Sequence, residues 1–291
     1  MSDPKYIVGI DLGTTNITVN YISISDLEKE NPVSTVFPIL QEFAKGTLEE
    51  KEILPSFLFH RLHEPSALPW TRELPYIVGE YARERGAEIP NRLVSSAKSW
   101  LCNPRIDRRS PVLPLNAPQD VRKISPVEAQ AEFLFHIRLA WNTKFPKAKL
   151  ENQMIIITIP ASFDAVARDL TVEAAKLAGL TDIILLEEPQ AAFYAWLGET
   201  TVPWREQVKK GDTVLVIDVG GGTTDFTLIE ITEKNGDLSL ERVAVGNHIL
   251  LGGDNMDLTL AFHIKHKLEA SKKKIDTSQA IALSHACRKA K

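Results

Sequence analysis

Two stretches of this chain follow one plan. The first is Tyr6-Ile-Val-Gly-Ile-Asp11-Leu-Gly13-Thr14-Thr15-Asn16; the second is Thr213-Val-Leu-Val-Ile-Asp218-Val-Gly220-Gly221-Gly222-Thr223-Thr224-Asp225. Each is a run of β-branched and apolar residues that reaches an aspartate, then glycine, then hydroxyls. Such a run reads as a buried strand that stops at a tight turn. Glycine lets backbone N–H groups approach phosphate oxygens, and threonine hydroxyls donate to them. A carboxylate at the strand end suits Mg²⁺ held through its water shell. One such turn alone is compatible with a plain β-hairpin in which the aspartate satisfies local donors. Alternating stretches do follow both turns, Ile17–Ile22 and Phe226–Ile231, so both read as hairpins. Recurrence of the whole strand–Asp–Gly–Thr–strand order favours two turns that clamp a polyphosphate and its metal from opposite sides.

Composition bounds the rest. The 291 residues suffice for one large domain or two medium ones. Hydrophobic content of 44% and charged content of 25% are those of a globular protein rather than a disordered one. A net charge of −4 gives no global attraction to nucleic acid or an anionic membrane. The two cysteines, Cys102 and Cys287, lack metal-ligand spacing and fit a reducing compartment. Met1–Lys5 is too short and polar for a signal peptide, and no apolar run approaches the roughly 18 residues of a membrane span. The expected location is therefore the cytoplasm. The seven histidines show no metal spacing, His248 reads as structural, and Lys272-Lys-Lys274 reads as a solvated face.

Between the two turns the order is strand–helix–strand–helix, which implies parallel pairing and an α/β class. Residues 32–124 are proline-rich with short strand candidates at Phe57–Phe59 and Tyr76–Val78, and read as an insertion. Ser125, Pro126 and Glu128 form a helix-start signature for residues 126–145. Met154–Ile159 reads as a buried strand ended by Pro160, and Ser162 as the cap of a helix that runs to Ala178 and stops at Gly179. Asp164 and Arg168 are spaced for an i,i+4 pair. Ile183–Leu186 is a short strand, Gln190–Leu197 a helix, and residues 199–212 a linker. After Asn255 the pattern is helical again, with Met256, Leu258, Leu260, Phe262 and Ile264 as its apolar positions.

Five segments together resemble the actin-like ATPase superfamily and, within it, the DnaK-type heat-shock chaperones. Ile10–Asn16 and Asp218–Asp225 look like the family's two phosphate turns. Ile159–Asp164 with Arg168 and Ala178–Leu180 looks like its first connecting segment. Glu188-Pro-Gln-Ala-Ala192 is similar to its Glu-Pro-Thr-Ala-Ala, and Leu251–Asp257 to its Leu-Gly-Gly-Glu-Asp-Phe-Asp. Ala97-Lys98-Ser-Trp-Leu101 sits where the family keeps a catalytic lysine. Sugar kinases and the bacterial and cell-division actins share the two turns but not the Glu-Pro-x-Ala-Ala and Gly-Gly-x-x-x-Asp segments in this form.

The resemblance implies an α/β actin-like fold of two lobes, each built on a ribonuclease-H-like mixed sheet. Residues 1–198 would form lobe I, with 32–124 as an inserted subdomain. Residues 199–291 would form part of lobe II, with 258–291 starting its upper subdomain. ATP or ADP would lie between the lobes. Gly13, Thr14, Thr15 and Asn16 would hold its phosphates from one side, and Gly220, Gly221, Gly222 and Thr223 from the other. Asp11 and Asp218 would hold Mg²⁺ through waters. Lys98 would stabilise charge on the γ-phosphate, with Glu188 and Asp225 orienting water. Gly252 and Gly253 would let the chain pass close to the nucleotide. Arg288 stands where the family has a glutamate at the adenine, and Lys291 where it has a lysine.

Unfolded peptide clients and co-chaperones would be partners of the whole protein; nucleic acid and membrane would not. The chain departs from the family in three ways. It stops at Lys291, which leaves lobe II without further strands and predicts an exposed edge and apolar surface. Glu187 replaces a neutral polar residue beside Glu188. The insertion matches the common chaperones poorly. The resemblance implies that a peptide-binding domain follows the nucleotide-binding part in the longer protein. The competing readings are an actin-fold small-molecule kinase with Asp225 as base, a filament-forming ATPase, and a nucleotide-binding scaffold without turnover.

Overall fold

The computed structural model describes residues 3–29, 32–62, 65–70, 75–103, 105–198, 202–247 and 249–290. His248 and Lys291, both singled out above, lie outside the described residues.

The first repeated stretch forms β1 (Tyr6–Leu12) and β2 (Asn16–Ser23), an antiparallel hairpin with Asp11 opposite Thr18. The proline-rich segment then supplies β3 (Thr35–Val36), β4 (Ile39–Ala44), β5 (Thr47–Lys51), β6 (Ile53–Pro55), β7 (Leu58–His60) and β8 (Tyr76–Val78). Helix α1 (Glu80–Glu88), β9 (Leu93–Val94) and the short helix α2 (Ala97–Leu101) follow. The segment is less separate than its composition suggests: β3 and β6 both pair with β2 and cover an edge that would otherwise expose unpaired backbone groups. Strands β8–β7–β9 make a small sheet of their own under α1.

Helix α3 (Pro126–Lys144) starts as its sequence requires, with a full capping box between Ser125 and Glu128. β10 (Met154–Ile159) pairs parallel with β1, and β11 (Ile183–Glu187) pairs parallel with β10. The connection between β10 and β11 is α4 (Ala165–Leu177), since parallel neighbours need a crossover. Asp164, not Ser162, is the cap: its Oδ1 accepts from Ala167 N at 2.6 Å, because the chain first turns at Pro160–Phe163. Gly179, at φ +82°, ends the helix as expected. The core lies between this mixed sheet and α3, where Val8, Ile10, Ile17, Val19, Ile157 and Trp141 are fully or almost fully buried. The indole of Trp141 still donates to Ala148 O at 2.8 Å.

Helix α5 (Glu188–Gly198) and the one-turn α6 (Trp204–Gln207) lead to the second repeated stretch. There β12 (Thr213–Val219), β13 (Thr224–Lys234) and β14 (Asp237–Val245) form an antiparallel sheet with Asp218 opposite Asp225. Over the described residues this sheet is antiparallel rather than mixed, because no crossover helix separates its three strands. Helices α7 (Gly253–Ala270) and α8 (Thr277–Ala290) pack on each other. Leu215, Ile217 and Val219 on one face of β12, with Met256, Leu258 and Phe262 on α7, are each more than half exposed. That is the apolar surface the sequence leads one to expect.

His136, on the buried face of α3, is fully inaccessible; its Nε2 is 2.9 Å from Leu40 O. Burial drives its pKa down from 6.5 to about 4, and the Leu40 hydrogen bond only partly opposes this. Between those values the unfolded chain takes up a proton that the folded chain refuses. This contribution to stability is therefore whole above pH 6.5 and falls by about 3 kcal/mol as the pH drops towards 4. His136→Gln keeps a donor for Leu40 and is expected to flatten that loss in urea titrations across the window. Equal acid sensitivity in the two proteins would refute the assignment.

Candidate functional site

The two repeated turns face each other across a cleft of about 520 Å³. Asp11, Gly13, Thr14, Thr15 and Asn16 line one wall, and Asp218, Gly220, Gly221 and Thr223 the other, with Lys98 and Glu188 between them. The turns almost touch. A Cβ built on Gly221 would fall 1.7 Å from Thr15 Oγ1, and one on Gly222 would come 3.2 Å from Thr14 Cγ2. Glycine is required there for close approach, not for a special φ.

Both turns are held from behind by their carbonyl groups. Ser56 Oγ donates to Gly13 O at 2.8 Å, and Ser56 N to Thr15 O at 2.9 Å. Gly253 N donates to Gly220 O at 3.0 Å, and Asp254 N to Gly221 O at 2.7 Å. In a trans peptide the N–H points opposite to the C=O. The N–H groups of Thr14, Asn16, Gly221 and Gly222 therefore point away from these anchors. Such rows of oriented amides make concavities for anions.

Lys98 enters from α2. Ser96, just before the helix, takes left-handed backbone at φ 54°, a conformation that costs about 1–3 kcal/mol. Lys98 is buried, and its Nζ donates to Glu188 Oε1 at 2.5 Å. Burial alone would lower its pKa, yet attraction to Glu188 and Asp11 outweighs that and raises it, so the ammonium is charged at neutral pH. Glu188 begins α5 directly after β11. Burial pushes its pKa up; Lys98 opposes this, while Asp11 and Asp218 add to it. Asp218 is raised by burial and then by Asp225, its cross-strand partner. The cleft thus gathers three carboxylates, Asp11, Glu188 and Asp218, around one cation and carries an excess of negative charge. Among the described residues no group of three or more His, Cys, Asp or Glu forms a ready metal cage. A divalent ion here would be shared between two carboxylates and other oxygens, which is how Mg²⁺ binds beside phosphate.

The other candidate residues lie elsewhere. Gly222 sits at the turn behind the lining, and Asp225 acts on the cleft through Asp218. Gly252 and Gly253 serve the second turn rather than the cavity: a Cβ on Gly252 would be 2.5 Å from Gly220 O and 2.6 Å from Gly221 O. Arg288 does not line the cleft. Its guanidinium is held by Asp254 and by Asp257, the latter at 2.9 Å from Nε. Asp164 and Arg168 do not pair with each other. Arg108 binds Asp164 with two hydrogen bonds of 2.8 and 2.9 Å and holds its pKa at about 2, while Arg168 donates to Glu187 at 2.7 Å. Glu187 also accepts from Arg242 on β14, so it links the two sheets and is no idle surface charge.

Three polar lining residues carry no motif that marks them in the sequence. Thr158 donates to Asp11 Oδ1 at 2.7 Å, a contact that aligning the ends of the Tyr6–Asp11 and Met154–Thr158 runs would have revealed. Ser99 and Cys102 follow Lys98 into the cleft wall. The Cys102 thiol is pushed up to about 12 by burial and donates to Lys98 O, so it is inert at neutral pH.

The Hsp70 protein family matches residues 61–291 of the chain. Curated relatives are similar over most of its length. The HscA homologue of Pseudoalteromonas atlantica, a chaperone, is 28% identical over 91% of this chain and 38% of its own. That of Bordetella petrii is 30% identical over 88% of this chain and 36% of its own. The chaperone DnaK of Thermotoga neapolitana is 29% identical over 88% and 35%. The chain spans a little over a third of the length of these relatives.

Proposed function

The chain belongs to the Hsp70 family, whose α/β architecture is the actin-like ATPase fold, and from that premise we propose that its cleft binds Mg-ATP and hydrolyses it. The carrying observation is the apposition of the two turns, with Thr15 against Gly221 and the Lys98–Glu188 pair beside them. Thr14, Thr15, Asn16 and the Gly220–Thr223 turn hold the phosphates through amides and hydroxyls. Asp11 and Asp218 would take a water-bound Mg²⁺, which would offset the neighbouring carboxylate charge that adds to burial in raising Glu188 and Asp218. Lys98 meets charge developing on the transferred phosphoryl group, and Glu188, held by Lys98, orients water. Such catalysis is positioning and electrostatics.

In this reading residues 1–198 are one lobe and 199–291 part of the other. Nucleotide-driven closure of the lobes regulates a peptide-binding region in the longer protein, with unfolded peptides and co-chaperones as partners. Two free cysteines support a cytoplasmic setting, and no helix among the described residues is long and apolar enough to cross a membrane.

The test is phosphate release from ATP with and without Mg²⁺. Slow turnover with no transfer to added sugars is the expected result. Nucleotide affinity should fall by at least about tenfold when EDTA removes the metal, because carboxylates would then face phosphate unshielded. Turnover or binding that is indifferent to Mg²⁺ would sink this assignment.

A further inference from the structure

We infer that Arg288 is a positioning residue for the second phosphate turn and not a contact to the nucleotide base. This rests on the cleft being a nucleotide site. The chain of contacts is short. Asp254 donates its backbone N–H to Gly221 O at 2.7 Å, and Gly253 donates to Gly220 O at 3.0 Å. The same Asp254 accepts from Arg288 Nη2 through its carboxylate, and the buried Asp257, one turn further along α7, accepts from Arg288 Nε.

Arg288 therefore grips the start of α7 at two points, and that start grips the carbonyls of Gly220 and Gly221. With those carbonyls fixed, the amides of Gly221 and Gly222 are fixed as well. The guanidinium also lies 5.7 Å from the centre of the Phe57 ring, next to Ser56, the residue that anchors the first turn. Beside it Lys289 bonds to Glu84 of α1 at 3.2 Å. One side chain on α8 thus holds the support of the second turn and lies against the neighbour of the first turn's anchor. Its Nε and Nη2 donate to two carboxylates, and it is absent from the cleft lining, so its route to the ligand runs through phosphate geometry.

The experiment compares binding of Mg-ATP and of Mg-tripolyphosphate, which has no base, by the unaltered chain and by Arg288→Gln, Arg288→Lys and Asp254→Asn. Arg288→Gln and Asp254→Asn are each expected to weaken both ligands about tenfold, to equal extents, with Arg288→Lys recovering part of the loss. The double variant Arg288→Gln/Asp254→Asn should be no weaker than either single one, since both remove one link. Loss of ATP affinity with tripolyphosphate unaffected would make Arg288 a base contact and overturn the inference. Lowered thermal stability with both affinities unchanged would reduce it to a helix-packing residue and overturn it equally. Failure of the unaltered chain to bind either ligand would bring down the nucleotide site and this inference together.

Discussion

Lys98→Ala is expected to slow phosphate release from Mg-ATP by about 10²- to 10³-fold, the loss typical of removing one preorganised electrostatic group from a closed site. Among the described residues that line the cleft, Lys98 is the sole lysine or arginine. It is buried, its pKa is raised by Glu188 and Asp11, and Ser96, two residues earlier, is strained. No neighbour can replace its charge: Arg108 is committed to Asp164, and Arg168 to Glu187. Ground-state affinity should change far less than the rate, because amides and hydroxyls of both turns remain. Glu188 would lose its cation and, already raised by burial, would be protonated more readily, so the residual rate should fall further below neutral pH. Single-turnover kinetics separate the two effects. A rate within about threefold of the parent would show that the lysine merely balances Glu188.

Gly252→Ala should weaken nucleotide binding by roughly 100-fold, about 2.7 kcal/mol. The added methyl would meet two backbone oxygens, Gly220 O and Gly221 O, at 2.5 and 2.6 Å. Backbone cannot rotate aside as a side chain can, so either the second turn or the start of α7 must shift. Such overpacking typically costs 1–3 kcal/mol of stability as well. The shift breaks the hydrogen bonds that aim the turn's amides. Gly198→Ala, where a Cβ would meet nothing within 4 Å, is the matched control and should bind nucleotide normally. Equal binding by Gly252→Ala and the control would mean that the second turn does not set affinity.

Much of this was legible in the chain. The repeated strand–Asp–Gly–Thr plan located both hairpins, and the Ser125–Glu128 box located the start of α3. These signals are local: periodicity, glycine and capping chemistry act over a few residues. What was misread depended on partners far along the chain. Ser162 and Asp164 are both sound caps in isolation, and the turn at Pro160–Phe163 selects Asp164. The i,i+4 spacing of Asp164 and Arg168 is real, yet Arg108, 56 residues earlier, offers Asp164 a bidentate partner that a surface helix pair cannot match.

Glu187 and Arg288 show the boundary most clearly. The residues alone located two glycine- and hydroxyl-rich turns, each with its own aspartate, because turn chemistry is written where it acts. That the turns meet, that Lys98 reaches Glu188 across 90 positions, and that Arg288 pairs with Asp254 and Asp257 outside the cleft lining were decided by tertiary packing. The physical reason is that buried charges must find a partner, and only the folded chain determines which opposite charge lies within hydrogen-bonding distance.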